Sequence, residues 1–200
     1  MDTLQEHSIE TIQAKGDADL LIVKTAVEKS TRQEVVVYGE DTDLLILLCH
    51  LAENNSHCIF FTTDKHISMK NLKVWDIQKT QQVLGEDVCL RLPFVHAIIG
   101  CDTTSRLHGI GKSAVLKKIK SYHHLQTQGE VFLKESMGKD DVCKAGEEAL
   151  VNLYGGMPLE GLDLLRWRQF TTKTMAINRS SIVQVQNLLQ TSDAAKFHSM

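Results

Sequence analysis

The chain has 200 residues, 42% of them hydrophobic and 24% charged, with a formal net charge of −3. That length can bury a real core, and the composition excludes disordered, fibrous and disulfide-scaffold classes. No apolar run approaches the ~20 residues of a membrane helix, and mild acidity argues against indiscriminate polyanion binding.

The first fifteen residues are polar and weakly patterned. From Asp17 the spacing predicts a helix through Glu28 that places Leu20, Val23 and Val27 on one face. Asp17 and Asp19 then fall in its first turn, where the helix dipole favours negative charge and where aspartate also serves as a cap. Glu34-Val35-Val36-Val37-Tyr38 lacks alternation and reads as a parallel strand buried on both faces. It ends at Gly39-Glu40-Asp41-Thr42-Asp43, and Leu44 to Leu51 follow as a helix apolar nearly all round. Asp41 and Asp43 thus sit at the carboxyl end of a parallel strand, where open α/β sheets form their sites.

Cys58 to Thr62 is a second strand and Leu72 to Trp75 a weaker third. Asp76 is expected to cap a helix through Leu84, ended by Gly85. A helix over Pro93 to Ile99, with Pro93 in its first turn, runs into Gly100-Cys101-Asp102. After His108-Gly109-Ile110-Gly111-Lys112 the next helix spans Ser113 to Tyr122. The remainder reads as helical over Val131–Met137, Asp141–Tyr154, Leu159–Thr171 and Ser181–Leu189. Strands alternating with helices, then helices alone, predict an α/β core over residues 14–124 and a helical C-terminal extension over 125–200.

Carboxylates two residues apart at the end of a buried strand or in a first helical turn can point into one cleft. Their repulsion is relieved when a cation shares the site, and oxygen ligands suit Mg²⁺ or Mn²⁺. Asp17, Asp19, Asp41, Asp43 and Asp102 are the candidates. From Arg106 to His124 there are five basic residues, Arg106, Lys112, Lys117, Lys118 and Lys120, and no acid. That stripe reads either as a phosphate-backbone contact or as a solvated helix face. The glycine turn is no Walker A loop, because the required first glycine is Arg106. A haloacid dehalogenase reading fails because leucines follow Asp43, and a Toprim reading lacks a strand before Asp17. The five cysteines are odd in number and form no Cys-x-x-Cys pair, so a metal knuckle has little support. Met1-Asp2-Thr3-Leu4-Gln5-Glu6 is unlike a secretory signal, and a reducing nuclear or cytoplasmic compartment is expected, with no membrane partner.

The ordered set of Asp17-x-Asp19 heading a helix, strand-Glu40-Asp41-Thr42-Asp43, Gly100-Cys101-Asp102 and Gly109-Ile110-Gly111-Lys112 resembles the flap endonuclease class of the PIN-like nucleases. The resemblance implies a PIN-like fold with a central, mainly parallel sheet flanked by helices. It also implies metal-dependent hydrolysis of DNA or RNA phosphodiesters, DNA being favoured. Asp41, Asp43 and Asp102 would be catalytic, and with Asp17 and Asp19 would hold Mg²⁺ or Mn²⁺; the family usually has glutamates at the first pair. The family's helix-two-turn-helix, which grips a nucleic-acid backbone, corresponds to Gly109, Gly111, Lys112 and Ser113, joined by Lys117 and Lys118.

A closer likeness is to transposon-associated animal proteins that carry a PIN-like domain. They share the Gly100–Ser105 motif, Leu153-Tyr154-Gly155, an Arg166-to-Phe170 step and an end like Ser192–His198, so that the resemblance spans residues 14 to 199. In the flap endonuclease pattern an earlier strand supplies a further aspartate. Only sixteen residues precede Asp17, so the first strand is expected to be missing and cleavage by this form to be weak. The alternative is a catalytically decayed nucleic-acid-binding or protein-interaction module of transposon origin.

Overall fold

Asp17, Asp41 and Asp76 each start a helix, and in each the carboxylate accepts a hydrogen bond from a backbone N–H of the first turn. The computed structural model describes residues 7, 9–53, 57–63, 73–101, 104, 106–121, 123–134, 136–176 and 183–199. The chain divides into two compact units, Met1–Cys89 and Leu90–Met200. The boundary expected at 124/125 falls inside the second of them.

The first unit runs α1 (Ala18–Ser30), β1 (Val35–Tyr38), α2 (Thr42–Leu51), β2 (Ile59–Thr62), β3 (Val74–Asp76) and α3 (Ile77–Leu84), then enters α4 (Glu86–Ile99). Its three strands lie in the order β1-β2-β3. β1 pairs parallel with β2, Val35 opposite Ile59 and Tyr38 opposite Thr62, while β2 pairs antiparallel with β3, Thr62 opposite Val74. The sheet is therefore small and mixed rather than mainly parallel. Among the described residues β1 is an edge strand, not an interior one: Val37 is buried, but Val36 and Tyr38 are exposed. The run of valines spoke for strand but not for which face is covered, because residues of one type line both faces of the pleat. β3 is also displaced, starting at Val74, and Leu72 lies outside the described residues.

α1 buries Val23, Ala26 and Ser30, whereas Leu20 reaches solvent. From Asp43 to Leu51 no residue of α2 is exposed, as its uniform leucine content requires. α1 packs on both β1 and α2. A helix linking two parallel neighbours must run back against them, so α2 is antiparallel to β1. α1, joined to β1 by a short turn and packed along it, does the same. The two helices are therefore parallel, with their N-termini at the carboxyl end of β1.

The helix expected from Pro93 begins at Glu86, directly after Gly85, so Pro93 lies in its interior. A proline there cannot donate to the carbonyl four residues back, which is that of Cys89. The His50 imidazole takes the vacancy: Nδ1 lies 3.2 Å from the Cys89 oxygen, which can only accept, so Nδ1 carries the proton. That donor makes the internal proline tolerable.

The second unit continues from α4 through α5 (Lys112–Ser121), α6 (His123–Phe132), α7 (Lys139–Leu153), α8 (Leu162–Ala176), a 3₁₀ turn (Val185–Asn187) and α9 (Ser192–Ser199). Ile98, Val115, Ile119, Leu125, Leu150 and Leu165 are among the side chains of its core. α6 begins eight residues before the predicted Val131 start. Leu125, Gln128 and Gly129 form its buried face, and Gly129 lets the Phe94 ring approach to within 3.1 Å of where a Cβ would stand. α8 begins at Leu162, not Leu159. The helix expected over Ser181–Leu189 is only the 3₁₀ turn in its described part, and α9 forms over Ser192–Ser199, a stretch with no element expected from sequence. Gly146 on α7 admits Ser199 of α9 against its backbone.

Candidate functional site

At the carboxyl end of β1, Gly39 donates its N–H to the Thr62 carbonyl at 3.0 Å and ends the strand pairing. A Cβ at Gly39 would overlap the Leu44 side chain and press on Phe61, so glycine lets the chain turn tightly from β1 into α2. This turn sets Asp41 and Asp43. Asp41 is the N-cap of α2 in extended backbone, and its Oδ1 accepts the Asp43 N–H at 3.0 Å. Asp17 repeats the device at α1, its Oδ1 accepting the Asp19 N–H at 2.9 Å. Each pair thus consists of a capping carboxylate with a second oxygen to offer and a carboxylate in the first turn. Asp17 is exposed; Asp19, Asp41 and Asp43 are half-buried.

Parallel packing brings both pairs to one end of the unit. Among the described residues, no three His, Cys, Asp or Glu side chains gather into a group that could hold a metal ion. Asp102, the fifth candidate, lies outside the described residues. Its motif is held on either side: Thr104 Oγ1 donates to the Ala97 carbonyl at 2.7 Å and accepts the Cys101 N–H at 3.0 Å. That hydroxyl ties Thr104 and Cys101 to the last turn of α4.

The glycine turn of the second unit stands at the head of α5. Gly109 adopts φ +74°, a left-handed conformation that favours glycine, while Leu107 is buried in the core. Gly111 is different: it has no positive φ, and a Cβ there would meet nothing within 4 Å. Neither strain nor packing within the described residues requires glycine at 111. Arg106, Lys112 and Ser113 are exposed at this helix start, and Lys117 and Lys120 are exposed further along α5. Lys118 is not part of that display. Its Nζ donates to the carbonyls of Leu153 at 2.6 Å and Asn152 at 3.4 Å, at the C-terminus of α7, where a cation complements the helix dipole.

Tyr154 was noted in the sequence only as part of Leu153-Tyr154-Gly155, and its role is positional. Its hydroxyl donates to the His108 carbonyl at 3.2 Å and holds the glycine turn against the end of α7. Burial raises its pKa. No spacing pattern could have revealed a partner 46 residues away. The other shared segments are also structural. Arg166 donates to the carbonyls of Val185 and Leu189, and His198 Nε2 lies 2.9 Å from the Ile98 carbonyl. Ser192 Oγ donates to Glu147 at 2.6 Å.

No family model, curated protein or solved structure matches this chain. Among the described residues no helix is long and apolar enough to cross a membrane.

Proposed function

We propose that the chain is a metal-dependent nuclease of PIN-like type, hydrolysing phosphodiesters of nucleic acid, with DNA the favoured substrate. The observation that carries this reading is the repetition of one Asp-x-Asp device at the N-termini of two parallel helices, both at the carboxyl end of β1. Asp41 and Asp43 would hold Mg²⁺ or Mn²⁺, with Asp17, Asp19 and Asp102 completing the ligand set. The metal would supply hydroxide and neutralise the leaving oxygen. Capping fixes the orientation of Asp17 and Asp41, and the positive end of each helix dipole favours negative charge at the two starts. The exposed Lys112, Ser113 and Lys117, and a Gly111 that its own surroundings do not require, support a phosphate seated on the α5 amides.

The second reading, nucleic-acid binding without turnover, is favoured by one observation: Asp17 and Asp41 each already serve a helix through one oxygen. A Mn²⁺ titration followed by electron paramagnetic resonance separates the two. The nuclease reading requires a site in the wild type that is lost in Asp43→Asn, and no specific Mn²⁺ uptake would leave the binding module.

A further inference from the structure

Met157-Pro158-Leu159-Glu160 is a turn closed by the Glu160 N–H donating to the Met157 carbonyl at 3.0 Å. With Pro158 in second place and Leu159 at φ +65° in third, it is a type II turn, and the third place strongly prefers glycine. Leu159 occupies it against that preference and is 97% exposed, so its side chain gains no burial in return. The turn is rigidly held from below. Glu160 is buried, its Oε2 accepts the Met157 N–H at 2.8 Å, and both its oxygens pair with Arg168 at 2.8 and 2.9 Å.

Beside the turn opens a cavity of about 140 Å³ lined by His124, Gln128, Glu148, Val151, Asn152 and residues 157–160. This is too small for a nucleotide or a typical cofactor, whose sites run from about 300 Å³ upward, and suits one long side chain. Its polar wall is ordered as a relay. Asn152 Nδ2 donates to Gln128 Oε1 at 3.4 Å, and Gln128 Nε2 donates to Glu148 Oε2 at 3.2 Å. Gln128 is 7% exposed, so it can hold Glu148 in place but cannot neutralise it. No ion pair involves Glu148 among the described residues, whereas Glu160 on the same wall is neutralised by Arg168. The relay leaves Glu148 Oε1 and Asn152 Oδ1 as acceptors, between apolar walls from Val151 and Met157.

We propose that this cavity and turn form a docking site for a polypeptide that inserts an arginine. The guanidinium fork would donate to Glu148 and Asn152 while its aliphatic stem lies on Val151 and Met157. Exposed Leu159 and Met157 at the rim select a polypeptide over a free cation, since an isolated amine has nothing to lay against them. The proposal is independent of the nuclease reading, because none of its residues belongs to that site.

The test is a titration of the ¹⁵N-labelled protein with a blocked Leu-Arg-Leu peptide, its Leu-Gln-Leu counterpart and free agmatine, followed by the side-chain amide signals of Gln128 and Asn152. The arginine peptide should shift both signals saturably, and agmatine should bind at least about tenfold more weakly. Glu148→Gln, which keeps the shape and one acceptor oxygen for Gln128 but removes the charge and the second acceptor, should weaken the peptide at least about tenfold. Leu159→Gly should weaken it too while leaving thermal stability unchanged or higher, a combination that a purely structural role cannot produce. Equal response to the arginine and glutamine peptides, or to the peptide by wild type and Glu148→Gln, would overturn the proposal. Equal affinity for agmatine and peptide would overturn the polypeptide assignment.

Discussion

Lys118 carries the same charge as Lys112 and Lys117, yet its ammonium is committed to the carbonyls that end α7. We therefore expect Lys118→Ala to cost roughly 1.5–3 kcal/mol in urea unfolding, the range for hydrogen bonds to a charged group. Lys112→Ala and Lys117→Ala should leave stability within about 0.5 kcal/mol. If the helix start seats phosphates, each of those two should instead lower the salt dependence of nucleic-acid affinity by about 0.7–0.9 per lost contact. Cys49 supplies a second test. Burial, with the Cys89 thiol adding to it, pushes its pKa up to about 12, so the nucleophilic thiolate is scarce at neutral pH. Alkylation at pH 8 should spare Cys49 in the folded protein and reach it only in denaturant; rapid labelling of the native state would contradict the burial. Glu160 gives a pH signature. The Arg168 guanidinium holds its carboxyl below the ordinary value of 4.5, so its contribution to stability is present above that value. That contribution is lost as pH falls through the lowered folded value, and Glu160→Gln should flatten this part of the acid profile.

At the scale of elements, the three helix starts capped by Asp17, Asp41 and Asp76 were legible, because capping is local chemistry between neighbours in sequence. Asp76 and Gly85 bracket α3 as read, Gly85 at φ +89°. Pro93 misled because the compensating donor, His50, lies on another helix and leaves no trace near the proline. This gives a thermodynamic cycle. His50→Leu should cost about 1–3 kcal/mol by orphaning the Cys89 carbonyl. Pro93→Ala supplies a backbone N–H four residues on, so the same His50→Leu change should cost measurably less in that background. Equal costs in both backgrounds would show that the imidazole is not satisfying the proline's missing partner. α6 was placed late for a related reason: its inward face uses Gln128 and Gly129, which no hydrophobic pattern counts as core. Asp41 links element to site. Asp41→Asn keeps a cap of similar quality and should leave stability nearly unchanged, whereas Asp41→Ala should cost about 0.5–2 kcal/mol.

For the whole molecule, the presence of strands followed by helices was legible, but the arrangement of the sheet was not. Val35 to Tyr38 look the same in sequence whether a neighbour lies on both sides or on one, and only the pairing with β2 places β1 at an edge among the described residues. The candidate site was legible as residue types at set spacings. Its parallel-helix framework was not, because that depends on α1 and α2 packing together across the intervening strand. Whether Asp-x-Asp at the two helix starts does metal chemistry is the central claim. The most direct measurement is cleavage of labelled single-stranded, flap and duplex DNA under enzyme excess in Mg²⁺ and in Mn²⁺. Wild type is compared with Asp43→Asn, which removes a carboxylate that does not cap its helix. The expected result is metal-dependent cleavage that Asp43→Asn abolishes while the folded structure persists; no metal-dependent cleavage, or cleavage undiminished in Asp43→Asn, would contradict the nuclease reading.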